Sequence, residues 1–196
     1  MTSTVPRPLL VDQLAPRPDF TRASHVVVEA DPATTYRVLR QLDFGDLRGP
    51  APGVVAWAHR VRARLEGRPS WHTRMPLDDL PPGSGWVTLG ERPGAEVVVG
   101  TIGTSRRPFA PVRDLEARAF ADFAVPGYGK VACSLSVLPY GQRRSLLTCE
   151  TRATATDPRS WSRLRRYWWL AGPWTALLER AALRSIKDRA ERGDHR

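Results

Sequence analysis

Apolar residues recur at every second position through the middle of the chain and at every third or fourth toward its end, which predicts strands followed by a long helix. The period of two is cleanest over residues 129–138, where Val131, Cys133, Leu135 and Val137 alternate with Lys130, Ala132, Ser134 and Ser136. The odd-numbered side is therefore expected to be buried. Residues 25–29, 86–91, 96–103, 117–125 and 145–156 read as further strands from their β-branched content and flanking turn residues. Arg92-Pro93-Gly94-Ala95 predicts a type II turn, because glycine accepts the positive φ of its third position. Turns at Gly127 and Gly141 join the last three strands into an antiparallel meander. A three-residue turn at Gly141 would set Leu135 opposite Leu147 and Cys133 opposite Cys149. The equivalent turn at Gly127 would set Phe123 opposite Val131 and Ala121 opposite Cys133. Arg118, Asp122, Lys130, Glu150 and Arg152 would then face outward.

Asp31-Pro32 supplies an N-cap and a proline at the first helical position, and a helix to about Gln41 follows. Residues 54–66 place Val54, Trp57, Val61 and Leu65 at helical spacing, and the proline-rich stretch 68–85 reads as a loop that could rim a cavity. Asp157-Pro158 starts the long helix. Its first stripe, Trp161, Leu164, Trp168 and Ala171, runs to Gly172-Pro173, where the missing N–H predicts a kink. A second stripe of Trp174, Leu177, Leu178, Ala181, Ala182 and Ile186 follows. The expected fold is α+β: an antiparallel sheet wrapped around a long kinked C-terminal helix, with two short helices after the first strand. Residues 1–20 form a proline-rich arm, 21–192 a single domain and 193–196 a tail.

At 196 residues one core suffices. The net charge of +10 would point to nucleic acid, but the composition argues otherwise. Only Lys130 and Lys187 are lysine and asparagine is absent, the bias of a GC-rich coding sequence, and no nucleic-acid recognition module is present. Two cysteines make no disulfide framework, and no apolar run has the length of a signal core or a membrane span, so a cytoplasmic location is expected.

The segments HVVVEADPATTYRVL, LGERPGAEVVVGTIG, ADFAVPGYGKVACSLSVLP, TCETRATATDP and RRYWWLAGPWTALLERAALRSIKDRAE resemble an uncharacterised bacterial branch of the START-like (SRPBCC, polyketide cyclase-like) superfamily, over residues 19–191. The resemblance implies a helix-grip fold with a ligand cavity, and carries no catalytic motif.

Neither a GxSxG elbow, a P-loop nor a GxGxxG fingerprint occurs, and His25, His59, His72 and His195 are scattered without metal-ligand spacing. No cofactor or metal is expected. Asp122 with Arg118 is the best-placed catalytic pair, provided it faces inward. Phe123, Cys133, Leu135, Leu147, Leu164, Trp168 and Leu178 are the expected lining of an apolar cavity, with Trp86 and Tyr128 at its rim. The expected function is binding of a small hydrophobic or amphipathic molecule. The alternatives are a cyclase or dehydratase using the same cavity, and an interaction module in which Trp169, Arg165 and Arg166 meet an anionic membrane or an acidic partner.

Overall fold

A computed structural model describes residues 8–47, 76–80, 84–104 and 117–194. The predicted helix 54–66, most of the loop 68–85, and His59, His72 and His195 lie outside the described residues. The strands are β1 (Phe20–Val28), β2 (Val87–Arg92), β3 (Glu96–Thr104), β4 (Tyr128–Pro139) and β5 (Ser145–Ala155). They form a five-stranded antiparallel sheet in the order β1-β5-β4-β3-β2. The helices are α1 (Leu10–Leu14), α2 (Pro32–Arg40) and α3 (Pro158–Asp194). The sheet packed against α3 makes this an α+β, helix-grip arrangement.

The predicted turn chemistry is present. Gly94 has φ +81°, and the Ala95 N–H donates to the Arg92 carbonyl at 2.9 Å, closing the β2–β3 hairpin. Asp31 accepts from the N–H groups of Ala33 and Thr34 at 2.9 and 3.0 Å and caps α2. Asp157 does the same for α3, accepting from Arg159 and Ser160 N–H, and it also takes the Gly127 N–H at 2.6 Å. The Ser160 hydroxyl, which also donates to it, and these N–H groups hold its carboxyl well below the usual carboxylate range.

Two parts of the predicted meander are corrected. Residues 117–125 are no strand: Ala117–Ala119 is a 3-10 turn, and the Phe120 N–H bonds locally to the Ala117 carbonyl. That turn buries Phe120 and brings Phe123 edge-to-face with Tyr128, ring centres 5.3 Å apart. β4 pairs instead with β3, with Cys133 opposite Val99. The β4–β5 register also differs: Leu135 lies opposite Cys149 and Cys133 opposite Thr151. The connection runs from Tyr140 to Arg144, closed by the Tyr140 N–H to the Arg144 carbonyl at 3.0 Å, with positive φ at both Gly141 and Arg143. A longer turn shifts the pairing by an even number of residues, so every side chain keeps its predicted face.

The α3-facing side of the sheet is a set of rows read across the strands. Val26, Leu147 and Val137 form one, Ser24, Cys149, Leu135 and Val97 the next, then Arg22, Thr151, Cys133 and Val99, and last Phe20, Ala153, Val131 and Thr101. The first two rows are the main core, covered by Ala182, Leu183, Ile186 and Ala190 of α3 and by Tyr36 and Leu39 of α2. Spacings of three and four place those α3 residues on one side, and the two alanines let the helix lie close to the sheet. In the earlier part of α3, Trp174 and Leu177 are exposed rather than part of the predicted second stripe.

The opposite side of the sheet is covered by the N-terminal arm, an ordered element in this fold. Val11 of α1 is fully buried against Val98, Ile102, Ala132 and Phe120. Glu96, itself buried, accepts the N–H groups of Leu10 and Val11 at 2.6 and 3.2 Å and the Ser134 hydroxyl at 2.8 Å, so a sheet carboxylate satisfies donors that a helix start leaves open. Arg152 pairs with Asp12 at 2.6 Å and Glu150 at 2.7 Å and donates to the Ala15 carbonyl at 2.9 Å. The predicted outward residues Glu150 and Arg152 thus hold the arm.

Candidate functional site

Beyond the core rows, Val99 and Ala153 are buried but several other residues of the sheet surface under α3 are less deeply covered. Arg22, Thr151, Cys133, Val131 and Thr101 are half-buried, as are Leu164, Trp168 and Thr175 of the helix above them. At the boundary stands Glu179, a buried carboxylate on α3 pointing at the sheet. It accepts the Thr151 hydroxyl of β5 at 2.8 Å and the Ser24 hydroxyl of β1 at 3.1 Å. Burial raises its pKa above the usual glutamate value, against the opposing pull of both hydroxyls and of Arg22 and Arg180. Glu179 shares a helix face with Thr175, Ala182, Leu183 and Ile186, so the stripe that buries those apolar residues also carries the acid inward.

Arg22 supplies the positive charge beside it. Its guanidinium donates to the Gly172 carbonyl at 2.6 Å and to the Thr175 hydroxyl, and lies 5.1 Å from the Trp168 ring centre. Trp168 in turn stacks on Phe20 at 5.7 Å. A Cβ on Gly172 would sit 2.6 Å from an Arg22 nitrogen, so a larger residue there would have to displace the guanidinium end of Arg22. The cysteines complete the patch: their sulfurs are 3.8 Å apart on the same face, diagonal to each other rather than directly opposite. The hydrogen-bonded Cys133 thiol and burial raise the Cys149 pKa well above the ordinary thiol value, which keeps Cys149 protonated and a poor nucleophile.

The expected lining residues divide into groups. Leu164 and Trp168 are half-buried in the first half of α3, Leu135 and Leu147 are fully packed core, and Cys133, Leu178 and Trp86 are partly buried against that core. Phe123 and Tyr128 lie on the other side of the sheet, with the arm. Arg118, within the 3-10 turn, and Asp122, just after it, are exposed. A small pocket of about 190 Å³ opens there between arm and sheet, lined in part by Arg17, Lys130 and Arg152. Lys130 spends its ammonium on the carbonyls of Phe120 and Ala121 at 3.3 and 2.8 Å.

The raised pKa of Glu179 has a sign that can be checked. Its protonated form is favoured by the fold, so that stabilisation is complete below the unfolded value of 4.5 and is lost as pH rises through the folded value. In Glu179→Gln this contribution to the pH dependence should vanish, while those of other carboxyls such as Asp157 remain. Denaturation midpoints of wild type and variant are expected to converge in acid and to separate as pH rises, with wild type falling behind; parallel curves would remove the buried-acid assignment.

Comparison with protein-family models gives no match, and neither does comparison with curated proteins. Among solved structures, a hypothetical protein from Helicobacter pylori is 11% identical, covering 97% of this chain and 99% of its own, with a TM-score of 0.43. A protein from Chromobacterium violaceum is 12% identical over 87% of this chain and 97% of its own, with a TM-score of 0.36. One from Thermus thermophilus is 10% identical over the same shares, with a TM-score of 0.34. Likeness this distant names no ligand, and the helix-grip arrangement stands on the strand order and α3 packing described above.

Proposed function

We propose that the protein binds a small apolar or amphipathic molecule between the sheet and the first half of α3, over the rows that begin at Arg22 and Phe20. The observation carrying this reading is the uneven fit of α3: its second half fills the core, while under its first half Val131, Cys133, Thr101 and Thr151 stay half-buried. An apolar surface with a few convergent polar groups is the usual constitution of a small-molecule site. Glu179, Thr151, Ser24 and Arg22 supply those groups, which would fix the polar end of an amphipathic ligand. The sequence resemblance to START-like proteins agrees with this reading. A second reading, a cyclase- or dehydratase-type reaction in the same cleft, is favoured by Glu179 itself, since burial raises its pKa and so favours the protonated form a general acid needs.

Native mass spectrometry of protein purified from its own host tests the binding reading. The expected result is an added mass released by organic extraction and lost in Val131→Trp, which fills the cleft. A bare-chain mass, together with unchanged denaturation midpoints across fatty acids, sterols and aromatic polyketides, would overturn it.

A further inference from the structure

The outward side of α3 carries a feature that ligand binding does not use. Trp169 is 79% exposed, Leu170 65%, Trp174 44% and Leu177 41%. Their spacing puts them on one side of the helix together with exposed Pro173, roughly opposite Glu179. Soluble helices bury such residues; here they form one continuous strip about 12 Å long, from the helical rise between Trp169 and Leu177. Cations bracket it. Arg159 and Arg166 precede it on the same side, Arg180 and Arg184 follow, and all four are exposed. Arg165 lies over the Trp161 ring at 5.3 Å. No Asp or Glu occurs from residue 158 to residue 178.

We infer that this side of α3 docks on an anionic lipid bilayer. An apolar strip with tryptophans at its edges and arginines at both ends matches the layering of a bilayer surface, where acyl chains lie below headgroup phosphates and carboxylates. Aliphatic Leu170, Pro173 and Leu177 at the centre of the strip favour acyl chains over nucleobases, which would call for stacking rings there. A second copy of the chain is disfavoured by the arginines that would face each other and by a net charge of +10. The docking is peripheral: among the described residues no helix is long and apolar enough to cross a membrane. It is independent of whether the cleft on the other side of α3 holds a ligand.

The test is sedimentation of the full chain with vesicles of phosphatidylcholine alone or mixed with phosphatidylserine. Binding is expected only to the phosphatidylserine vesicles, falling with added salt and by about fivefold for each of Arg166→Gln and Arg180→Gln. The exposed pair Trp169→Ser/Leu170→Ser should bind about tenfold more weakly or worse, with an unchanged circular dichroism spectrum. Wild-type tryptophan emission should shift to the blue on binding, and less so without Trp169. No sedimentation with either vesicle, equal binding by the serine variant, or capture by single-stranded RNA that anionic vesicles fail to displace would each overturn the inference.

Discussion

Glu96→Ala is expected to destabilise the protein by about 3 kcal/mol and to free the N-terminal arm. The carboxylate is fully buried and serves two backbone N–H groups of α1 and the Ser134 hydroxyl. Removing it leaves those donors with two poor choices. They can stay buried and unpaired, at about 1–3 kcal/mol each, or the arm can lift and expose Val11 with the apolar surface of Val98, Ile102 and Phe120. Relief of carboxylate desolvation offsets part of the loss, which is why the sum stays well below three full penalties. Glu96→Gln keeps the shape but places an N–H where an acceptor is needed, and should cost less. Urea denaturation gives the energies. Chymotryptic cleavage after Leu10 and Leu14 reports the arm, and should be fast in the alanine variant and slow in wild type.

Ile186→Ala is expected to cost about 2–5 kcal/mol, while Leu164→Ala on the same helix should cost about 1 kcal/mol or less. Ile186 is 1% exposed and packed with Leu183, Leu135 and Leu147 in the main core, so its loss opens a cavity in a close-packed region. Leu164 is half-buried over the open rows, near Gly129 of β4, where neighbouring groups and water can take up the space. The contrast in cost measures how unevenly α3 grips the sheet. Equal costs at the two positions would mean that the first half is packed like the second and leaves no room for a ligand.

The parts of this fold legible in the sequence are those with local causes. Pro93-Gly94 announces its turn because φ is set by the residues themselves, and Asp31-Pro32 and Asp157-Pro158 announce helix starts because cap and first-turn preferences are local. The faces of β4 and β5 follow from a period of two. Their offset does not, because it depends on a turn in which Arg143 takes φ +55°, a conformation its side chain does not signal. Residues 117–125 mislead because Ala117, Ala119, Ala121, Phe123 and Val125 recur at every second position and read as a strand, whereas Phe120 and Phe123, three apart, fold into a turn under the arm. A signal for a doubly covered sheet is present in Val97-Val98-Val99: an unbroken apolar run marks a strand buried on both faces, and here the arm is the second cover. Glu179 escapes a search for catalytic motifs, since its role comes from strands far away in the chain. Its spacing from Thr175, Ala182 and Ile186 nevertheless marks it as an acid on a buried stripe.

Native-state amide hydrogen exchange along α3 probes the grip most directly. Amides from Glu179 to Ala190 should exchange only with global unfolding, whereas those from Arg163 to Gly172 should exchange through local opening at least about a hundredfold faster, and slow when the cleft is filled. Uniform protection from one end of the helix to the other would contradict the account.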